Sequence, residues 1–122
     1  VRRNTNPTWG TIRRVRDRDE AQCILCGRTD ELHTHHRRPR GRGGSRFPGI
    51  NLASNLITVC AYHHAYIHQN VRWARRRGLL VSQYKDPAAV PIKLIRHGWV
   101  ELLPEGGMNP IDREGLLTNG EN

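Results

Sequence analysis

Cys60-Ala61-Tyr62-His63-His64-Ala65-Tyr66-Ile67-His68 is the stretch on which the reading of this chain turns. One cysteine and three histidines crowd into it, and two further groups lie upstream, Cys23-x-x-Cys26 and His33-x-His35-His36. Together they hold all three cysteines and six of the seven histidines of the chain. A structural zinc site takes four ligands, usually thiolates with some imidazole. The surplus imidazoles therefore point to a second site.

Cys23, Cys26, Cys60 and His63 supply two x-x pairs separated by a loop, the spacing of a structural zinc site. Cys23-Ile24-Leu25-Cys26-Gly27 has the form of a zinc knuckle, in which a tight turn aims two thiolates at one ion and Gly27 permits a positive φ. Because the second pair is Cys-x-x-His, His33 and His64 compete with His63 for the fourth place. With zinc served, His35, His36, His64 and His68 remain. On a helix His64 and His68 are four apart and project from one face, so both can bind one ion. On a strand His35 and His36 point to opposite sides. If His35 faces the helix it becomes a third ligand of a second ion, and His36 stands nearby with a free imidazole suited to general-base work.

Around these ligands the sequence predicts a small α+β fold. Thr8 or Thr11 caps a helix through Ile12 and Val15 toward Asp19. Leu32 to Arg37 reads as a short strand, residues 39–54 as a Gly-, Arg- and Pro-rich loop, and Leu56 to Val59 as the clearest strand. Ala61 to Arg77 reads as one helix whose packing face is Tyr62, Ala65, Tyr66, Trp73 and Ala74, stopped by Gly78. Residues 1–78 thus form the main domain, with a core at 23–77. Residues 79–122 form a C-terminal extension, with a hairpin of Ile92–Ile95 and Trp99–Leu103 followed by a mobile tail from Pro104. Trp9, Trp73 and Trp99 are expected to pack rather than to stack on bases.

Charge separates the two parts. Sixteen of the 20 Lys and Arg precede Gly78 against five of the 11 acids, a balance of +11, whereas the remainder is −2. Nearly all of this charge is arginine, the side chain suited to bidentate phosphate contact, so nucleic acid is the expected partner. At 36% apolar and 6% aromatic, the chain has little material for a large core and is expected to need a metal staple. The odd cysteine count, the ligand spacing of the thiols and the lack of a long apolar stretch predict a reducing, cytoplasmic setting with no membrane association.

Cys-x-x-Cys-Gly, the His35-His36 pair, a Gly-Gly loop, Asn55-Leu56-x-x-x-Cys60 and the His-rich helix resemble the HNH (His-Asn-His) endonuclease family over Cys23 to His68. That resemblance implies a ββα-metal (His-Me finger) core carrying zinc-stabilised knuckles. It implies that His35 binds a catalytic ion, His36 acts as base, and Asn55 holds the strand-loop backbone so that the base keeps its aim. His64 and His68 would complete the catalytic metal site. Thr34 before the pair, the extra imidazole of His33 and the use of His63 in place of a cysteine depart from the family pattern. Restriction, homing, toxin and phage packaging proteins use this module, so phage or mobile-element partners are expected.

The chemistry implied is hydrolysis of DNA phosphodiesters, double-stranded DNA being the expected substrate, to 5′-phosphate and 3′-hydroxyl ends. Structural Zn²⁺ and a catalytic Mg²⁺, Mn²⁺, Ni²⁺ or Zn²⁺ would be the cofactors. Arg37, Arg38, Arg40, Arg42 and Arg46 beside the base, with Arg72, Arg75, Arg76 and Arg77 continuing the metal helix, are the expected phosphate contacts. The competing reading is a non-catalytic, zinc-stabilised nucleic-acid-binding module, which leaves His35, His36, Asn55, His64 and His68 without a task. A zinc peptidase would need a glutamate beside the first helix histidine, and Ala65 stands there.

Overall fold

Thr8 keeps extended backbone angles and its hydroxyl accepts from the Thr11 amide at 3.2 Å, so helix α1 (Trp9–Arg18) begins where the sequence offers a cap. The computed structural model describes residues 6–41 and 46–111 and shows a small α+β fold with two antiparallel sheets. Val15 is the fully buried residue of α1, while Trp9 stands 81% exposed, against the expectation that it packs. At the helix end, Arg18 and Asp19 form a buried ion pair through two hydrogen bonds of 2.9 and 3.0 Å. Arg18 also donates to the carbonyls of Ala53 and Leu56, and the Asp19 carboxylate accepts from the Thr58 amide at 2.9 Å. Their charges anchor α1 to the backbone of the next strand pair.

That pair is β1 (Leu32–His36) and β2 (Leu56–Cys60), antiparallel with Thr34 opposite Thr58 and His36 opposite Leu56. Every residue of β2 is buried because α1 packs against it as well as the helix that follows, which explains its unbroken apolar run. The polar exception, Thr58, has its hydroxyl satisfied by Arg16 at 3.1 Å.

The predicted single helix over 61–77 is two. Helix α2 (Ala61–Gln69) ends at Asn70, whose backbone leaves the helical region at φ −132°, and α3 (Val71–Arg76) starts anew. The Asn70 side-chain amide donates to the Tyr66 carbonyl at 2.9 Å, taking the acceptor an amide four residues on would use. A β-branched Val71 next in line favours the break. The predicted packing face is also shifted: Ile67 and Ala74 are the buried residues, whereas Tyr62 and Ala65 are exposed.

After α3, Gly78 turns the chain at φ +76°, and a Cβ there would collide with the Pro91 carbonyl. The predicted hairpin is present as β3 (Ile92–Leu94) and β4 (Gly98–Leu102), with a third strand β5 (Met108–Pro110) pairing to β4. Residues 104–111 are thus partly a sheet edge, not a tail; residues 112–122 lie outside the described residues. One apolar cluster joins Cys23, Ile24, Ile57, Val59 and Ile67 to Leu79, Ile92, Leu94, Val100 and Leu102, so the segment after Gly78 shares the core of the metal-ligand region. Among the described residues no helix is long and apolar enough to cross a membrane.

Arg37 corrects the sequence reading most sharply. Assigned above to DNA, it is fully buried, and its guanidinium donates to the carbonyls of Gly78 (2.7 Å), Ser54 (2.8 Å), Pro87 (3.0 Å) and Val90 (2.7 Å). Burial, with Arg18 nearby, pushes its pKa down to about 9, which leaves it charged at neutral pH. No phosphate can reach it. Arg37→Ala is expected to lower unfolding stability by about 3–5 kcal/mol, because four buried carbonyls lose a charge-assisted donor. Exposed Arg72→Ala should stay within about 0.5 kcal/mol. Urea unfolding of both variants checks this, and equal midpoints would contradict it.

Candidate metal centres

Cys23, Cys26, Cys60 and His63 bring their ligand atoms within 4.8 Å of one another. Local geometry explains each. The Cys23 carbonyl accepts from the Gly27 amide at 2.8 Å, closing the knuckle turn, and Gly27 takes φ +80°. The Ile24 amide donates to the Thr58 carbonyl at 3.0 Å and fixes the knuckle beside β2. Cys60 ends β2 and caps α2, its sulfur accepting from the His63 amide. Burial raises the Cys60 thiol, but the His63 amide and the neighbouring thiols outweigh it and leave the pKa lowered. Buried Cys23 is pushed up to about 11, mainly by desolvation.

The spacing suits a tetrahedral ion. Bonds of about 2.3 Å to sulfur and about 2.0 Å to imidazole give S···S edges of about 3.8 Å and S···N edges of about 3.5 Å. Cys26 Sγ to Cys60 Sγ is 3.8 Å, and His63 Nδ1 lies 3.3 Å from Cys60 Sγ and 3.7 Å from Cys23 Sγ. These four residues can hold a metal ion such as zinc. His63 takes the fourth place rather than His33 or His64.

A second group, His35, His64 and His68, also brings its ligand atoms within 4.8 Å, the three ring centroids each 5.3 Å from the others. His64 and His68 project from one side of α2, one turn apart, and His35 on β1 faces them. Adjacent His63 and His64 belong to different clusters because a helix turns 100° per residue. His35 is buried and its Nε2–H donates to the Leu79 carbonyl at 2.8 Å. A carbonyl only accepts, so Nδ1 keeps its lone pair for a cation. Burial pushes His35 down to about 3, and it stays neutral, the ligand form. Exposed His33 sets its Nδ1 2.9 Å from His64 Nδ1, a neighbour of this cluster and not a member of it.

His36 sits half-buried at the end of β1, with Nε2 2.8 Å from Asn51 Oδ1. Desolvation lowers its pKa, the Asn51 contact opposes this, and Arg40 adds to the lowering. Asn55 is fully buried: its Oδ1 accepts from the Arg38 amide at 2.6 Å and its Nδ2 donates to the carbonyls of Arg38 and Ile50. It ties together the two ends of the loop that follows His36. Asn51 and the Leu79 carbonyl were not anticipated from sequence. The first had a signal, since Asn51-Leu52 repeats the Asn55-Leu56 step four residues earlier; a backbone carbonyl has none.

The other arginines assigned to DNA divide differently. Arg38 lies 3.8 Å over the Phe47 ring and Arg40 donates to Asn6, while Arg46, Arg72, Arg75 and Arg76 are exposed. Arg77 lies 5.2 Å over the Trp73 ring, and Arg42 falls outside the described residues. Because α3 is a separate helix, Arg72 to Arg77 do not continue the histidine helix.

Purified protein is expected to carry one tightly held zinc per chain. Cys60→Ala should lose it, and the melting temperature should fall by roughly 10 °C or more, because ion binding and folding are coupled. His68→Ala should keep both. Elemental analysis with thermal melts checks this; an unchanged Cys60→Ala melt would exclude a structural ion there. No protein-family model matches this chain, and neither does any curated protein or solved structure, so its functional reading rests on the geometry of the two clusters.

Proposed function

We propose that the chain is a metal-dependent DNA endonuclease of the HNH type, its β1–β2–α2 unit being a ββα-metal core stapled by zinc at Cys23, Cys26, Cys60 and His63. The observation that carries this reading is the second cluster. His35, His64 and His68 converge on one point, with the separately held imidazole of His36 next along the strand. A zinc-stabilised binding module has no use for three converging histidines beside a complete four-ligand site.

The three histidines would hold a divalent ion, Mg²⁺, Mn²⁺, Ni²⁺ or Zn²⁺, whose Lewis acidity stabilises charge building on the scissile phosphate and the departing 3′ oxygen. Imidazole ligands favour the later transition metals in affinity. His36 takes the proton of the attacking water as its oxygen bonds to phosphorus. The P–O3′ bond breaks, the departing oxygen takes a proton from solvent water, and the products carry a 5′-phosphate and a 3′-hydroxyl. Asn55 keeps the backbone after His36 in place during this exchange. Exposed Arg46, Arg72, Arg75 and Arg76 supply positive charge for flanking phosphates, which positions DNA without reading its sequence.

Supercoiled plasmid incubated with each of the four ions tests the proposal. Wild type is expected to convert it to nicked or linear product. His36→Ala should lose roughly 10²–10⁴ in rate while DNA affinity and zinc content stay unchanged, since a general base contributes about that much. DNA binding without cleavage under every ion would instead favour the binding module.

A further inference from the structure

A histidine acting as base needs one ring nitrogen unprotonated and aimed, and the other nitrogen decides which one that is. The His36 Nε2 faces Asn51 Oδ1 at 2.8 Å. An amide oxygen only accepts, so Nε2 carries the proton and Nδ1 keeps the lone pair.

Asn51 is itself held. It follows Ile50, which is fully buried and whose carbonyl accepts from Asn55 Nδ2 at 2.8 Å. The Ile50 amide donates to the Phe47 carbonyl and the Leu52 amide to the Gly49 carbonyl, both at 3.1 Å, so the turn around Asn51 is closed on either side. The Asn55 side chain thus grips the backbone next to Asn51 and, through Arg38, the backbone two residues after His36. Its side-chain hydrogen bonds go to the backbone of Arg38 and Ile50, not to the His36 ring. Aim of the ring falls to the other asparagine.

We infer that Asn51 is the positioning residue of the proton acceptor, fixing His36 as its Nε2–H tautomer and turning Nδ1 toward the reacting water. The inference rests on the reading of His36 as base. Asn55 fixes the loop, and Asn51 fixes the ring. A neutral amide suits the task, because it orients the imidazole without placing a negative charge beside the phosphate that must approach.

The test uses the full-length, zinc-loaded protein with Asn51→Leu, which removes the acceptor at similar volume, and Asn51→Asp, which retains an acceptor oxygen. Asn51→Leu should lower kcat about 10- to 100-fold, part of what a general base contributes, and leave KM for plasmid within about twofold. Zinc content and melting temperature should match wild type. Asn51→Asp, which keeps the acceptor but adds the negative charge, should fall between Asn51→Leu and wild type. In a His36→Ala background Asn51→Leu should cost nothing further, since a residue acting through His36 has nothing left to act on. Independently of turnover, ¹⁵N histidine spectra of wild type should show neutral His36 as the Nε2–H tautomer, and Asn51→Leu should show a mixture.

An unchanged kcat in Asn51→Leu, or an equal loss with and without His36, overturns the inference while leaving the nuclease reading standing. So does an unchanged tautomer in the variant. A wild type that cleaves with none of the ions overturns the nuclease reading, and this assignment with it.

Discussion

A single buried guanidinium closes this fold. Arg37 stands two residues after His35 on the same side of the chain, and its donors reach four carbonyls in three segments: the turn before β2, the Gly78 turn, and the turn from Pro87 to Val90. The Pro87 carbonyl also accepts from the Val90 amide at 3.1 Å, and a carbonyl left bare in the interior is costly. Burying a charge costs several kcal/mol, and four charge-assisted hydrogen bonds offset it. An apolar residue of the same size would fill the space but supply none of these donors. The same clamp reaches the candidate site, because the Gly78 carbonyl that Arg37 holds adjoins the Leu79 carbonyl that sets the His35 tautomer. The segment after Gly78, outside the stretch that bears the ligands, thereby orients one of them.

The junction of β2 and α2 carries both clusters. Cys60 belongs to the strand and caps the helix, so the thiolate that completes the four-ligand group also fixes where α2 begins and hence the direction of His63, His64 and His68. Helical rotation then sends His63 to one cluster and its neighbour to the other. Emptying the Cys/His site would loosen the start of α2 and move the histidine group with it. The break at Asn70 comes after His68, which leaves the His64–His68 turn intact.

Much of this was legible in the sequence because ligands announce themselves by spacing. Cys-x-x-Cys with Gly27 and Cys-x-x-His pointed to the four-residue cluster, the i, i+4 histidines to a shared helix face, and the alternation of His35 and His36 to one imidazole inside the second cluster and one outside it. The Thr8 cap and the β2 run were readable for the same local reason. What sequence could not show is where a polar side chain finds its partner. Arg37 and Arg38 are adjacent, identical and equally basic in sequence, yet one lies wholly inside and the other stacks over Phe47. Only the tertiary supply of bare carbonyls distinguishes them. The helix break at Asn70 is hidden in sequence because the aromatic spacing runs straight through it, and only the fold shows the Asn70 side chain taking the Tyr66 carbonyl.

That distinction changes how the charge excess should be understood. Of the arginines before Gly78, Arg37 is wholly occupied by backbone carbonyls, and Arg18 by Asp19 and the carbonyls of Ala53 and Leu56. Arg16 is turned inward to the hydroxyls of Thr34 and Thr58. These cations knit together α1, the β pair and the turn that carries Asn55, in a chain with too few apolar residues to do so by burial alone. A high arginine content is therefore two populations. One supplements a small apolar core with charged hydrogen bonding to backbone; the other remains on the surface. The count of basic residues overstates the second: among the described residues the arginines before Gly78 that stand exposed include Arg13, Arg14, Arg46, Arg72, Arg75 and Arg76, and their positions, not the net charge, describe the basic surface.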